Sequence, residues 1–380
     1  MENTRIIIAC DSFKGSATTI EVGNYIEQGI KKVDKNVDVV KFPIGDGGEG
    51  TVDSLVIGCN GEYQYAEVVG PRGKRLNAKF GMIEGNTAVI EMAEASGLQL
   101  IEDKERNPFE ATTYGTGELI KVALDHGARK IYIGLGGSAT NDGGIGMAQA
   151  LGVSFKDKDG QEVGYGANGV RNIATIDTTN IDKRLASVPI IALSDVTNPL
   201  CGKNGASYIY GPQKGASEED VKVLDEILFH YGMLIKEQLK LDIAENVGAG
   251  AAGGLGAGLM AFCNVKLENG ITKILELIKL EDQLKDADLV ITGEGKMDSQ
   301  SLYGKAPIGV ATLAKRKDVP VIAIVGSADY DLHEVYKHGI DFILDTVIKP
   351  MPLVEAISNV EKLLNIAGES AYRAFKLNTK

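Results

Sequence analysis

One feature of this sequence constrains its fold more than any other. Short apolar segments are followed directly by clusters of glycine, acidic and hydroxyl residues. Five such segments occur, at residues 6–10, 39–42, 131–134, 190–193 and 289–292. Runs of Val and Ile this short, with helical-period segments between them, are typical of parallel strands that are buried on both faces and joined by helices. The sequence therefore predicts an α/β fold.

The two ends of the chain share one alternation of strands and helices. The predicted strands are 5–10, 37–42, 289–292, 319–325 and 342–347, and the predicted helices are 19–33, 307–317 and 332–338. Five strands of this type suit one doubly wound, flavodoxin-like parallel sheet. We expect the two ends of the chain to form one domain together.

The middle of the chain has a different pattern. Residues 62–91 alternate apolar and polar positions around Gly-Asn and Gly-Lys turn signals, which predicts antiparallel hairpins. Parallel-type strands return at 130–134 and 190–193, and a long helix is predicted at 218–239. The pattern of this region therefore predicts a mixed α/β domain.

Two domain arrangements agree with these patterns. A chain of 380 residues favours two domains, at roughly 150 residues each. We expect a discontinuous first domain, residues 1–60 and 286–380, with the mixed α/β domain at 61–285 inserted into it and the active site in the cleft between them. A sequential split near residue 210 is the alternative.

Charge and hydropathy narrow the range of partners. The chain has 40 Lys and Arg against 52 Asp and Glu, a net charge of −12, and offers no basic patch for nucleic acid. Its apolar runs are shorter than the ~20 residues of a spanning helix, and residues 1–5 do not begin a signal peptide. We expect a cytoplasmic protein that binds neither nucleic acid nor membranes. Buried, reduced thiols are expected at the four cysteines, which lack Cys-x-x-Cys spacing: Cys10, Cys59, Cys201 and Cys263.

The clusters at the strand ends combine two kinds of ligand chemistry. Glycines let backbone N–H groups approach an anion, and a helix that begins just after them favours phosphate. Neighbouring carboxylates oppose phosphate binding unless a cation intervenes, and Mg²⁺ is usually held by one or two carboxylates together with phosphate oxygens. Lys14 and Lys305 could then offset charge on a transferred phosphoryl group. The combination favours phosphoryl transfer.

Single motifs carry little weight by themselves. An Asp-Gly-Gly sequence is more often a turn than a ligand, and this applies to both Asp46 and Asp142. Residues 248–253 match Gly-x-Gly-x-x-Gly but lack the strand and βαβ unit of a dinucleotide site. No Walker A sequence is complete, so a kinase here would not be a P-loop enzyme.

Longer motifs follow one another in order from about residue 5 to residue 370. They are Asp11 to Gly15, Asp46 to Thr51, Ala111 to Glu118, Gly134 to Gly144, Asp195 to Leu200 and Gly248 to Gly258, together with Gly293-Glu294-Gly295, Asp298, Gln300 and Gly304-Lys305. This series resembles the bacterial type-1 glycerate kinase family. The resemblance implies a two-domain α/β enzyme that uses ATP and Mg²⁺ to phosphorylate D-glycerate, giving 2-phosphoglycerate. Departures at Gly45, Val247 and Lys296-Met297 leave the acidic and lysine positions intact.

The resemblance indicates the reaction better than it indicates the roles of individual residues. The candidates for substrate binding are Asp11, Ser12, Lys14, Asp46 and Arg72, and Lys14 is preferred for the glycerate carboxylate because it follows a core strand. The candidates for nucleotide binding are Gly136, Gly137, Ser138, Ala139, Thr140, Asn141, Gly293, Glu294 and Lys305. Asp195 is the candidate base or Mg²⁺ ligand, and Lys14 is the second catalytic candidate. Asp46, Asp195 and Asp298 are the candidate metal ligands, with Glu49 as a competitor.

Alternatives stay open at this stage. The product could be 3-phosphoglycerate, or the substrate could be another small hydroxy acid. A phosphatase run in reverse and a non-catalytic sugar-acid sensor are further options. The sequence leaves the oligomeric state open, with a homodimer as one option.

Overall fold

The chain forms two compact units in a computed structural model that describes residues 4–263, 265–302 and 304–377. The first unit consists of Met1–Asp46, Asp53–Asn60 and Ile271–Lys380, and the second of Gly47–Val52 and Gly61–Gly270. Each unit combines parallel strands with helices, which confirms the α/β class. The domain boundaries given above stay a prediction.

The strands are numbered along the chain. They are β1 (Arg5–Cys10), β2 (Asp38–Pro43), β3 (Glu62–Val69), β4 (Arg75–Ile83), β5 (Thr87–Glu91), β6 (Lys130–Gly134), β7 (Ser154–Lys156), β8 (Thr175–Asp177), β9 (Ile190–Leu193), β10 (Lys266–Glu268), β11 (Leu289–Glu294), β12 (Val321–Val325) and β13 (Phe342–Asp345).

The α-helices are numbered in the same way. They are α1 (Thr19–Val33), α2 (Thr51–Gly58), α3 (Ala93–Ser96), α4 (Tyr114–Asp125), α5 (Ile145–Ala150), α6 (Gly166–Val170), α7 (Ala206–Tyr210), α8 (Glu218–Leu239), α9 (Ala251–Phe262), α10 (Gly270–Leu277), α11 (Leu280–Gln283), α12 (Ala306–Lys315), α13 (His333–Lys337), α14 (Leu353–Ser358) and α15 (Val360–Leu377). Within the described ranges, none of these helices has both the length and the apolar character to cross a membrane.

The first unit contains a five-stranded parallel sheet in the order β13-β12-β11-β1-β2. Counted within the unit, this is the flavodoxin-like order 2-1-3-4-5 that the sequence predicts. Helices α1 and α15 pack together and share an apolar core with the sheet. Their approach is so close that a Cβ at Gly29 would lie 1.9 Å from the main-chain oxygen of Asn365.

Local sequence explains where α1 begins and which face it buries. Thr18 accepts a hydrogen bond from the Glu21 amide, and the Glu21 carboxylate accepts one from the Thr18 amide, forming a capping box. Val22, Ile26 and Ile30 recur at helical spacing and are fully buried. The helix predicted at 19–33 is confirmed.

The second unit contains a six-stranded mixed sheet in the order β10-β9-β6-β5-β4-β3. Strands β3, β4 and β5 are antiparallel, as the alternating pattern predicts. Strands β5, β6, β9 and β10 are parallel. The predicted long helix is confirmed as α8, whose first turn is capped by Ser217 and Asp220.

The cysteines follow the expectation with one exception. Cys10, Cys201 and Cys263 are buried thiols. Cys59 is half-buried rather than buried, because it lies just after α2, where its thiol donates a weak hydrogen bond to the main-chain oxygen of Leu277.

Candidate active site

The strand order of the first unit reverses between β1 and β11. Chain connections leave these two neighbouring strands in opposite directions, and ligands of such sheets bind at the carboxyl ends of the strands at this point. Asp11 and Ser12 follow β1 directly, and Gly293 and Glu294 end β11. Four predicted site residues therefore lie at the position where a parallel sheet presents ligand-binding groups.

A cavity of about 580 Å³ lies at this edge of the sheet. Seven predicted site residues line it: Asp11, Ser12, Lys14, Asp46, Glu294, Asp298 and Lys305. They follow three different strands, and the structure brings them together within the first unit. We call this the strand-end cavity.

Asp11 is the most deeply placed acid of the strand-end cavity. One of its carboxylate oxygens accepts a hydrogen bond from the Ser12 amide at 2.6 Å. Burial raises the pKa of Asp11 well above its usual range, and the negative charge of Asp46 raises it further, while Lys14 opposes both effects. Asp11 would therefore ionise more readily with a bound cation nearby.

Lys305 forms ion pairs with two further acids of this cavity. Its ammonium nitrogen lies 3.4 Å from an oxygen of Glu294 and 3.6 Å from an oxygen of Asp298. Glu294 is 5% exposed, and this burial raises the pKa of its carboxyl group, although Lys305 lowers it in part. The lysine thus holds two carboxylates at the end of β11.

Two buried polar atoms of the cavity make no hydrogen bond within the described residues. They are the Ser12 hydroxyl oxygen and the Oε1 oxygen of Glu294. Buried polar atoms are nearly always hydrogen-bonded in folded proteins, so unpartnered ones indicate a position for a ligand. Both atoms belong to residues that line the strand-end cavity.

The cavity also bears on metal binding. Among the described residues, no group of three or more His, Cys, Asp or Glu side chains is arranged to hold a metal ion. Mg²⁺ does not require such a cage, because it retains waters and takes one or two carboxylates together with phosphate oxygens. The unpartnered Glu294 oxygen, with Asp46 and Asp298 in the same cavity, fits that donor set.

The predicted phosphate loop lies in the second unit, between β6 and α5. It contains Gly136, Gly137, Ser138, Ala139, Thr140 and Asn141. The Gly136 amide donates to the main-chain oxygen of Gly47 at 2.9 Å, and the Ala139 amide donates to that of Ser96 at 2.9 Å. A Cβ at Gly136 would lie 2.5 Å from the Cα of Gly48, so close packing requires this glycine. These contacts give part of the loop a structural role.

Asp142 anchors the end of the same loop. Its buried carboxylate accepts hydrogen bonds from the Thr113 amide at 2.8 Å, the Thr113 hydroxyl at 2.9 Å and the Gly144 amide at 3.0 Å. Burial raises its pKa, and these donors oppose the rise. The Asp-Gly-Gly sequence here forms a hydrogen-bonded turn.

Lys214 supports this loop and was not predicted from the sequence. It is fully buried, and its ammonium donates to the main-chain oxygen of Thr140 at 2.7 Å. Burial lowers its pKa to about 7, and the Asp142 charge opposes that shift. A lysine between Pro212 and Gly215 resembles an ordinary turn residue, so the sequence carried no signal of its burial.

Asp195 follows β9 in the second unit and is half-buried. One of its carboxylate oxygens accepts hydrogen bonds from the Gly270 amide at 2.9 Å and from the Asn269 side-chain amide. These contacts connect the end of β9 to the segment that follows β10.

The two remaining candidates lie on exposed parts of the second unit. Arg72, in the turn between β3 and β4, forms an ion pair with Glu105 at 2.8 Å. Glu49 is exposed in the segment after β2. Lys14, the preferred partner for the substrate carboxylate, lines the strand-end cavity.

Comparison with known proteins gives one consistent result. The model of the glycerate kinase family matches residues 6–376. A glycerate kinase of Bacillus subtilis is 46% identical, with 98% of each chain covered, and a glycerate 2-kinase of Escherichia coli is 47% identical, with 93% of each covered. The chain is also similar to the crystal structure of a candidate glycerate kinase 2 from Salmonella typhimurium LT2. The match covers 100% of each chain, with 44% sequence identity and a TM-score of 0.83. The resemblance seen in the sequence motifs is confirmed.

Proposed function

The chain belongs to the glycerate kinase family and is a kinase, and from that premise we propose that it transfers the γ-phosphoryl group of ATP to D-glycerate, giving 2-phosphoglycerate. The observation that carries the proposal is the strand-end cavity, where Lys14 and Lys305 stand among four carboxylates at the switch point of a parallel sheet. The name of the Escherichia coli relative, glycerate 2-kinase, supports the position of the new phosphate.

The lysines supply the positive charge that phosphoryl transfer requires. Charge spreads over the oxygens of the transferred group in the transition state, and nearby ammonium groups stabilise it. Lys305 is fixed between Glu294 and Asp298, so we assign it to the phosphates of ATP. Lys14 is exposed at the cavity, and we assign it to the glycerate carboxylate.

We propose that the reaction requires Mg²⁺. Asp46, Asp298 and the unpartnered oxygen of Glu294 would hold the ion, and Asp195 is the further candidate ligand. When bound, the ion would neutralise phosphate charge and favour an in-line arrangement. Asp11 and Ser12 would orient the acceptor, and Asp195 would accept the hydroxyl proton if it is not a metal ligand.

Some parts of the proposal rest on the sequence and the family alone. They are the nucleotide contacts of residues 136–141 and Gly293, the substrate contact of Arg72 and the location of the active site between the two domains. A cytoplasmic location, and a homodimer as one oligomeric option, are proposals of the same kind.

Product analysis tests this function directly. We expect incubation with ATP, Mg²⁺ and D-glycerate to give ADP and 2-phosphoglycerate in equal amounts, separated from 3-phosphoglycerate by chromatography. Reactions without glycerate, or with L-glycerate, serve as controls. Formation of 3-phosphoglycerate alone would contradict the product assignment. Faster turnover of another hydroxy acid would contradict the substrate, and glycerate binding without turnover would contradict the proposal as a whole.

A further inference from the structure

The strand-end cavity has a second wall that the proposed chemistry does not use. This wall is apolar, unlike the acids and lysines, and is formed by Val347, Met351, Leu353, Ala356, Ile357, Val360 and Leu363. Leu353 is 74% exposed and Ile357 38% exposed, although both are large apolar side chains. Apolar surface of this kind within a concave cavity marks a ligand-binding surface. We call it the apolar wall.

Helical spacing explains why these side chains form one surface. Leu353 and Ile357 are four residues apart on α14, so they lie on the same face of that helix. Met351 precedes α14, and Val360 begins α15. The wall is therefore built mainly from one short helix and its two ends, all within the first unit.

The chemistry of the reactants decides what can cover this wall. Glycerate carries a carboxylate and two hydroxyl groups, and the triphosphate is fully polar, so neither gains from contact with Leu or Ile side chains. A purine base is flat and largely apolar on its faces, and its burial against aliphatic side chains is favourable. Of the groups in the proposed reaction, the base fits the wall.

The polar side of the cavity is consistent with the same ligand. Lys305, which we assigned to the phosphates, lines the cavity together with Leu353 and Ile357. A volume of about 580 Å³ lies in the range that holds a ligand of nucleotide size. A mononucleotide has both an anionic end and an apolar end, as this cavity does.

We propose that the apolar wall is the subsite for the purine base of the phosphoryl donor, with Leu353 and Ile357 as its principal contacts. This inference rests on the proposed function, because it takes ATP as the donor. It assigns the base to the first unit. Helix α14 would contact the base, whereas Lys305 would contact the phosphates.

Paired variants test the proposal. In the double variant Leu353→Ser/Ile357→Ser, the KM for ATP and the Kd for adenosine, measured by calorimetry, should rise roughly tenfold, because apolar contact area is lost. The KM for D-glycerate and the inhibition constant of inorganic tripolyphosphate should stay within twofold of the wild-type values. Because both side chains are exposed, the thermal midpoint should change little.

Val354 provides a matched control. It lies beside Leu353 on α14 and is 78% exposed, but it is outside the described lining of the cavity. Val354→Ser should leave both nucleotide constants unchanged. The proposal is overturned if the double variant binds adenosine as the wild type does, if it loses adenosine and tripolyphosphate equally, or if Val354→Ser has the same effect.

Further outcomes separate this proposal from its premise. If wild-type protein does not phosphorylate D-glycerate but binds adenosine, and the double variant loses that binding, the proposed function fails while the base subsite stands. If wild-type protein phosphorylates D-glycerate and the double variant retains adenosine binding, only the base subsite fails. A change in sedimentation without a change in adenosine binding would assign the wall to an interface between copies of this chain and overturn the subsite.

Discussion

The ammonium of Lys214 donates a hydrogen bond to the main-chain oxygen of Thr140 at 2.7 Å, from a side chain with almost no exposure to solvent. The two residues lie 74 positions apart, so folding brings them together. Burial lowers the pKa of Lys214 to about 7, against about 10.5 for an ordinary lysine. The stability of the second unit should therefore depend on pH.

We predict that this lysine makes the protein more stable as pH rises from about 7 to about 10.5. In this range the unfolded chain binds a proton at Lys214 that the folded chain does not, so unfolding takes up a proton and the free energy of unfolding increases with pH. Titration of this one lysine can raise the free energy of unfolding by at most about 1.4 kcal/mol per pH unit. Below pH 7 both states carry the proton, and the contribution is constant.

Urea unfolding at several pH values, followed by circular dichroism because the chain has no Trp, measures this effect. The free energy of unfolding of the wild type minus that of Lys214→Met should increase with pH above 7 and stay constant below it. Lys222→Met, at an exposed position on α8, is the control and should give a difference independent of pH. Parallel curves for wild type and Lys214→Met would contradict the prediction.

Asp142→Asn should destabilise the second unit by about 2–4 kcal/mol, because an amide NH₂ would face N–H donors that now reach a carboxylate oxygen. The urea midpoint by circular dichroism measures this loss. Asp177→Asn is the matched control, since Asp177 is exposed and accepts from the Thr179 amide in a simple turn. Equal effects of the two substitutions would show that the Asp142 network contributes little.

Much of the first unit could be predicted from the sequence because its signals are local. The bounds of α1 follow from the Thr18–Glu21 capping box and three buried apolar positions. The parallel strands follow from short Val and Ile runs, and parallel strands place their carboxyl ends at one edge, which brings Asp11 and Glu294 together. Strand β12 begins at Val321 rather than at residue 319, because Pro320 has no amide to donate to the sheet.

The features that the sequence did not reveal depend on contacts between distant segments. Lys214 is buried because it reaches Thr140, and nothing near residue 214 indicates this. Leu353 and Ile357 have the spacing of an ordinary core-facing helix, yet they line a cavity. The hydrogen bonds of Gly136 and Ala139 likewise depend on residues distant in the sequence, Gly47 and Ser96, which folding brings close.

Lys305→Met should lower kcat by roughly 10² to 10³, because it removes a fixed positive charge from the proposed phosphate position. Loss of the ammonium should also raise the pKa of Glu294 further, since Lys305 is one of the groups that lowers it. Steady-state kinetics measure the first effect. Lys337→Met removes an exposed ion pair with Glu334 on α13 and should leave kcat unchanged. A kcat within threefold of wild type for Lys305→Met would show that Lys305 does not stabilise the transferred phosphoryl group.

Removal of Mg²⁺ should abolish phosphoryl transfer. Asp46 and Asp298 line one cavity with Glu294, and phosphate oxygens brought near such carboxylates repel them by about 4 kcal/mol per pair at ~4 Å with an effective dielectric constant of 20. Product formation should stop after dialysis against EDTA and return on addition of Mg²⁺. Full activity after exhaustive chelation would contradict the proposed metal requirement.

Asp195→Asn tests whether Asp195 takes part in the reaction or only stabilises the structure. The amide keeps a side-chain oxygen that can accept the hydrogen bond from the Gly270 amide, so the contact after β10 can persist and the thermal midpoint should change little. What the substitution removes is the negative charge. If Asp195 is the base, kcat should fall by ~10² to 10⁴ while ATP and D-glycerate still bind.

The two chemical roles of Asp195 can be separated from each other. If it is a metal ligand, the affinity for Mg²⁺ and ATP together should weaken, and a higher Mg²⁺ concentration should restore part of the rate. Asp195→Ala is the companion variant, because it removes the hydrogen-bond acceptor as well as the charge and reports the structural contribution through its thermal midpoint. If Asp195→Asn folds normally and turns over within about threefold of wild type, Asp195 is neither base nor ligand. The same substitution at Asp46 and Asp298 would then identify the carboxylate that acts.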